Sequence, residues 1–147
     1  MPFEGYAKPK ADIPIAGLSL NVDVKELDMR GPDGKVLDHN EEIEEILRQC
    51  HKDNSVPILH SIYGSGTGVI KSYINMKQVE SSKCYSEQIK ELGGIMVANA
   101  NQGRLEKDWL TELVNKDVIV ISSGSRFYRG PAHSGAVIIP PSIMEKL

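Results

Sequence analysis

Three short stretches carry the residue types that could hold or act on a charged small molecule, all from residue 64 onward. Gly64-Ser65-Gly66-Thr67-Gly68 follows an apolar run directly. Such a loop offers closely spaced backbone N–H groups to an anion, or serves only as a structural turn. It is not a P-loop, because no Gly-Lys-Ser/Thr follows, and it is not G-x-G-x-x-G. Asn99-Ala100-Asn101-Gln102 ends a second apolar run in amides. Ser122-Ser123-Gly124-Ser125 ends a third and delivers Arg126, with Arg129 close behind and Arg104 earlier in the chain. A guanidinium keeps its charge and presents a planar fork of donors. The chemistry open to these residues is anion or nucleotide recognition. The plainer alternative is a set of arginines that organise carboxylates at a surface or interface.

Other reactive residue types give less. His39, His51, His60 and His133 show no metal-ligand spacing. Cys50 and Cys84 lie far apart, beside no ligand-like pattern, and read as reduced thiols. That points to a reducing intracellular compartment, the cytoplasm or an organelle interior such as the mitochondrion.

The elements that must position these stretches follow from periodicity. Met1 to Asp12 reads as an extended arm with Pro2 and Pro9, and residues 13–147 as one α/β domain. Ile13 to Val24 alternates in part, a strand bent at Gly17. Gly31-Pro32-Asp33-Gly34 predicts a turn. Asp38 or Asn40 can cap a helix with Glu41 and Glu42 in its first turn and an apolar stripe of Ile43, Ile46, Leu47 and Cys50. Val56 to Tyr63 is a strand with Pro57 at its start. The second half of Ser72–Leu92 is helical and stops at Gly93-Gly94. Ile95 to Ala98 is a short strand, and Leu105 to Asn115 an amphipathic helix with Trp109 on its apolar side. Val118–Ile121 and Gly135–Ile139 are unbroken apolar runs, expected to be strands buried on both faces. Pro140-Pro141 leads into a short terminal helix. Strands alternating with helices predict an α/β fold with a mainly parallel sheet flanked by helices, its last two strands pairing antiparallel.

Composition excludes some classes. The 147 residues are 40% hydrophobic and 25% charged, with a net charge of −3. That is ordinary for a globular domain and gives no reason to expect a nucleic-acid partner. The apolar runs are too short for membrane insertion. Met1 to Lys10, which mixes Glu4, Lys8 and Lys10 with prolines, shows no signal-peptide pattern.

Gly124-Ser125-Arg126-Phe127-Tyr128-Arg129-Gly130-Pro131-Ala132-His133-Ser134-Gly135-Ala136 resembles the lysine-bearing segment of fold type I, aspartate-aminotransferase-like enzymes that depend on pyridoxal phosphate (PLP). One branch has Gly-Ser-Lys-Phe-Phe-x-Gly-Pro-Pro-Phe-Ser-Gly-Ala there. Asn99-Ala100-Asn101-Gln102 resembles the family's Asp-Ala-x-Gln, also at a strand end before a helix. The two anchors stand in the family's order, and the likeness covers roughly Pro57 to Pro140. It implies a degenerate fragment of the large domain, with Asn99, Gln102, Ser125 and Arg126 as a vestigial cofactor site. Arg126 falls on the Schiff-base lysine. A protonated guanidinium cannot form an imine. Asn99 falls on the Asp that keeps the pyridine nitrogen protonated, and a neutral amide cannot.

The resemblance therefore implies a pseudoenzyme with no bound cofactor and a structural or assembly role among other protein chains. Two alternatives stay open. One is half of a split PLP-dependent enzyme. The other is a small phospholigand-binding module using Gly64, Ser65, Gly66, Thr67, Gly68 and Arg126. Apolar strands without enough helices to cover them predict surface that other chains must bury.

Overall fold

The computed structural model describes residues 22–28, 30–62, 85–100, 106–124, 130–131 and 134–145. The chain divides into two compact units, Met1–Leu37 and Asp38–Leu147. The arm boundary expected at residue 12 lies outside the described residues.

In the first unit the described backbone is a tight turn. Arg30 and Val36 form an antiparallel bridge. The Gly31 N–H donates to the Lys35 carbonyl at 2.9 Å, and the Gly34 N–H to the Gly31 carbonyl at 2.9 Å. Gly34 takes φ 78°, a conformation glycine reaches without steric cost. The Lys35 N–H also donates to Asp33 Oδ1 at 3.1 Å. That bond, with the Lys35 ammonium beside it, holds the Asp33 carboxyl below its ordinary value. The hairpin-like excursion read from Gly-Pro-Asp-Gly is present. The strand expected over Ile13–Val24 is described only at its end, where Val22 to Val24 form no strand and both valines are exposed.

The second unit runs α1 (Asn40–Asp53), β1 (Ile58–Ile62), α2 (Tyr85–Glu91), β2 (Ile95–Ala100), α3 (Lys107–Asn115), β3 (Val118–Ser123), β4 (Gly135–Ile138) and α4 (Pro141–Met144). The strands form one sheet in the order β1-β2-β3-β4. β1–β2 and β2–β3 are parallel, and β3–β4 is antiparallel. This is an α/β fold with a mostly parallel sheet, as strand–helix alternation predicts.

Local chemistry sets the helix ends. α1 buries Ile43 and Leu47 from its predicted stripe. Its N-cap is His39, which makes no side-chain cap bond. Asp38 Oδ1 instead accepts the Asn40 N–H at 3.3 Å, from one position further out than a capping side chain. Asn54 closes α1 in the left-handed region at φ 53°, where Asn is tolerated better than most residues. α2 ends in a Schellman turn, with Gly93 N–H donating to Lys90 O at 3.0 Å and Gly94 N–H to Ile89 O at 2.7 Å. Gly94 must stay small, because a Cβ there would sit 2.4 Å from the Pro57 carbonyl oxygen.

Strand order decides where the core lies. β1, β2 and β3 are neighbours in chain order, so right-handed crossovers place α2 and α3 on the same side of the sheet. On that side Met96, Ala98 and Ala100 of β2 and Val118 and Val120 of β3 are buried, with Ile89 of α2 and Leu113 of α3 against them. Each large side chain buried there contributes about 1.5–3 kcal/mol. Tyr85, fully buried, reaches back to α1, its hydroxyl donating to the Asn40 carbonyl at 3.2 Å.

The other side is different. Successive side chains of a strand alternate faces, so Ile58, His60, Ile62, Ile95, Val97, Asn99, Ile119, Ile121, Ser123 and Val137 share the second face. Ile58 is 67% exposed, Val137 59% and Ile62 41%. Ile95, Val97, Asn99, Ile119 and Ile121 are half-buried. The expectation that β3 and β4 are buried on both faces is therefore corrected. β3 alternates between buried and half-buried along Val118–Ile121, and β4 is an edge strand exposed at Gly135, Ala136 and Val137. Unbroken apolar sequence placed these strands in a sheet, but the connections put the described crossover helices on one side only.

Candidate functional site

The parallel register brings the ends of β1, β2 and β3 to one edge of the sheet. Ile62 pairs with Asn99, Asn99 with Ile121, and Ala100 with Ser122. In α/β sheets this carboxyl edge is where ligands bind. The chain leaves β1 at Ile62, two residues before Gly64; it leaves β2 at Ala100 and β3 at Ser123. The strand ends that precede Gly64 and that carry Asn99 and Ser122 therefore lie at the same edge.

Of the residues assigned to the vestigial cofactor site, Asn99 is described. It lies one residue from the end of β2, half-buried, on the sheet's second face in a row with Ile62 and Ile121. Gln102, Ser125 and Arg126 lie outside the described residues, as do Gly64, Ser65, Gly66, Thr67 and Gly68, and Arg104, Arg129 and His133. Among the described residues, Ile62, Asn99, Ala100, Ser122, Ser123 and Gly124 give this edge amide and hydroxyl groups but no titratable side chain. Those groups can hydrogen-bond a ligand. None of them is a base that could activate a serine.

The loop after β3 is closed at its neck by backbone bonds. The Gly124 N–H donates to the Ser134 carbonyl at 3.0 Å, the Gly130 N–H to the Gly124 carbonyl at 3.1 Å, and the Ser134 N–H to the Pro131 carbonyl at 3.1 Å. Glycine is required at 130, where a Cβ would lie 2.6 Å from Ser134 Oγ and 3.0 Å from the Gly124 carbonyl oxygen. Ser134 Oγ is buried in this neck without a hydrogen-bond partner. The neck holds Gly124, Gly130 and Ser134 together.

A second polar cluster sits at the opposite, amino edge of the sheet. Asp117, in the left-handed region at φ 59°, joins α3 to β3. Its carboxylate pairs with the Lys90 ammonium and accepts from the Ser142 hydroxyl. Lys116 beside it pairs with Glu112 at 2.9 Å. Lys90, Lys116, Asp117 and Ser142 line a small cleft with Ser86, Ile89 and Met96. The arrangement ties the end of α2, the α3–β3 corner and the start of α4 together, and its lysines are already matched by carboxylates. Sequence reasoning missed it. An Asp two residues past a helix end was the sole local signal, and its partners stand 27 and 25 residues away.

Among the described residues no group of three His, Cys, Asp or Glu side chains is placed to hold a metal ion, and no helix is long and apolar enough to cross a membrane. Comparison of the chain with models of known protein families, with curated proteins and with solved structures gives no match.

Proposed function

We propose that this chain is a non-catalytic subunit, resembling part of the large domain of a fold type I PLP-dependent enzyme, with a structural or assembly role in a larger protein complex. The observation that carries the proposal is the apolar face of the sheet that no described crossover helix covers. Predominantly parallel sheets are covered on both faces. Here Ile58, Ile62 and Val137 are exposed on a face whose other apolar members are only half-buried. Exposed apolar side chains at both edges of a sheet face are the kind of surface at which partners bind.

The donor set supports the non-catalytic half of the reading. Asn99, at the end of β2, is neutral and cannot keep a pyridine nitrogen protonated. Arg126, by resemblance at the lysine position, cannot form an imine. These residues do not fit PLP as a covalently held cofactor.

The test uses the tagged full chain in its native cells. It is expected to elute in a complex far above its own 16.2 kDa. Borohydride reduction followed by mass spectrometry is expected to find no phosphopyridoxyl adduct on its lysines. Elution at its own mass in that test overturns the assembly role. An adduct on Lys107 or Lys116 overturns the non-catalytic role and favours half of a split enzyme.

A second reading, a phospholigand-binding module, is favoured by the shared edge at which β1, β2 and β3 end. A phosphate-dependent rise in melting temperature, lost in Arg126→Ala, distinguishes it.

A further inference from the structure

We infer that the open face of the sheet is the seat of a single amphipathic α-helix from a partner chain, about three turns long and uncharged on its inner side. The inference rests on the assembly role proposed above and names what that assembly places on this face.

Charge and size select the occupant. The strands Ile58–Ile62, Ile95–Ala100, Val118–Ser123 and Gly135–Ile138 contain no Asp, Glu, Lys or Arg. The polar members of the face are His60, exposed on the edge strand β1, and Asn99 and Ser123 toward the carboxyl edge. Between them, a complementary surface presents aliphatic side chains to Ile95, Val97, Ile119 and Ile121, with its charges turned away. The four strands, spaced about 4.8 Å apart and some five residues long at about 3.3 Å each, make a face of roughly 300 Å². A free-standing dimer buries about 800 Å² on each partner, so a second copy packed face to face would be undersized. A helix of three turns is about 16 Å long and 10 Å wide, which matches the length of these strands and spans the middle of the sheet. The apolar positions run diagonally, from Ile58 and Ile95 through Val97 and Ile119 to Ile121 and Val137. A helix lying along the strands would meet them with side chains at i, i+3, i+4 and i+7. Such a patch seats a helix but does not hold two free subunits together, so the helix belongs to a partner anchored to this chain elsewhere as well. The result is the helix–sheet–helix layering of ordinary α/β domains, completed between chains.

Ile58 and Val137 bracket the face and are its most exposed apolar members, so replacing them perturbs the fold little. Each is replaced in turn by photoreactive benzoylphenylalanine in the full-length chain, expressed in its native cells. After irradiation, the cross-linked peptides are sequenced by mass spectrometry, and the native mass of the assembly is measured in parallel. Both positions are expected to cross-link to one segment of one partner. That segment carries uncharged apolar residues at helical spacing, and its isolated peptide becomes helical in trifluoroethanol. Cross-links to this same chain, whether a second copy or its own residues, overturn the inference. So do cross-links to a partner segment without that spacing. Intact assembly with no cross-link at either position overturns the inference and leaves the assembly role standing. A monomer overturns both.

Discussion

The two faces of the sheet are built from nearly the same residues and have different fates. Val118 and Val120 face the helices and are fully buried, while Ile119 and Ile121, their immediate neighbours in β3, face the other way and are half-buried. Hydrophobicity does not distinguish them. Connectivity does: two successive crossovers in one direction put α2 and α3 on one side. The comparison teaches that an unbroken apolar run states what a strand requires around it, and not which chain supplies the second layer.

Substitutions at paired positions test this difference. All can be read by denaturant unfolding followed through Trp109, the single tryptophan, which lies in α3. Leu113→Ala is expected to have the largest effect, a loss of about 2–5 kcal/mol, because Leu113 is 1% exposed on the helical side. Val120→Ser is expected to cost about 2–4 kcal/mol through lost packing and an unpaired buried hydroxyl, while Val137→Ser stays within about 0.5 kcal/mol in the isolated chain. Equal losses at the two positions would erase the distinction between the faces. Gly94→Ala is expected to cost about 1–3 kcal/mol, since its Cβ drives into the backbone where Ile95 N–H donates to the Pro57 carbonyl at the β1–β2 junction. Tyr85→Phe is the mildest, about 1 kcal/mol for the lost bond to the Asn40 carbonyl, and it reports on how firmly α1 is held to the covered side.

Much of the described fold was legible from short-range pattern. The Ile43/Leu47 stripe, the stop at Gly93-Gly94, and the apolar runs of β2 and β3 each correspond to an observed element, because periodicity and glycine chemistry act within a few residues. β3 continues through Ser122 and Ser123, which read as loop in the sequence, because pairing with Ala100 of β2 and with Ala136 and Gly135 of β4 outweighs serine's weak strand preference. The burial of β4 was not legible, since Ala136, Val137 and Ile138 look the same in an edge strand and a central one. Of the candidate site, the sequence placed Asn99 at a strand end, and it stands there. The Lys90–Asp117–Ser142 cluster gave only the lone Asp117 as a local signal, because three turn and helix-end residues become neighbours only when the sheet forms.

That cluster and the loop neck bear on β4 together. Gly135-Ala-Val-Ile138 offers no alternation of polar and apolar side chains, so pattern alone would allow the strand to slide by one residue, exchanging its two faces. Its two ends prevent this. On one side the Gly124 N–H holds the Ser134 carbonyl just before the strand, and on the other Asp117 holds Ser142 shortly after it. β4 is thus set in phase by anchors at both its ends, together with Gly135, where a Cβ would lie 2.9 Å from the Ser122 carbonyl oxygen. A change at Gly130 or Asp117 would be felt first as a slipped register in a strand that neither residue touches.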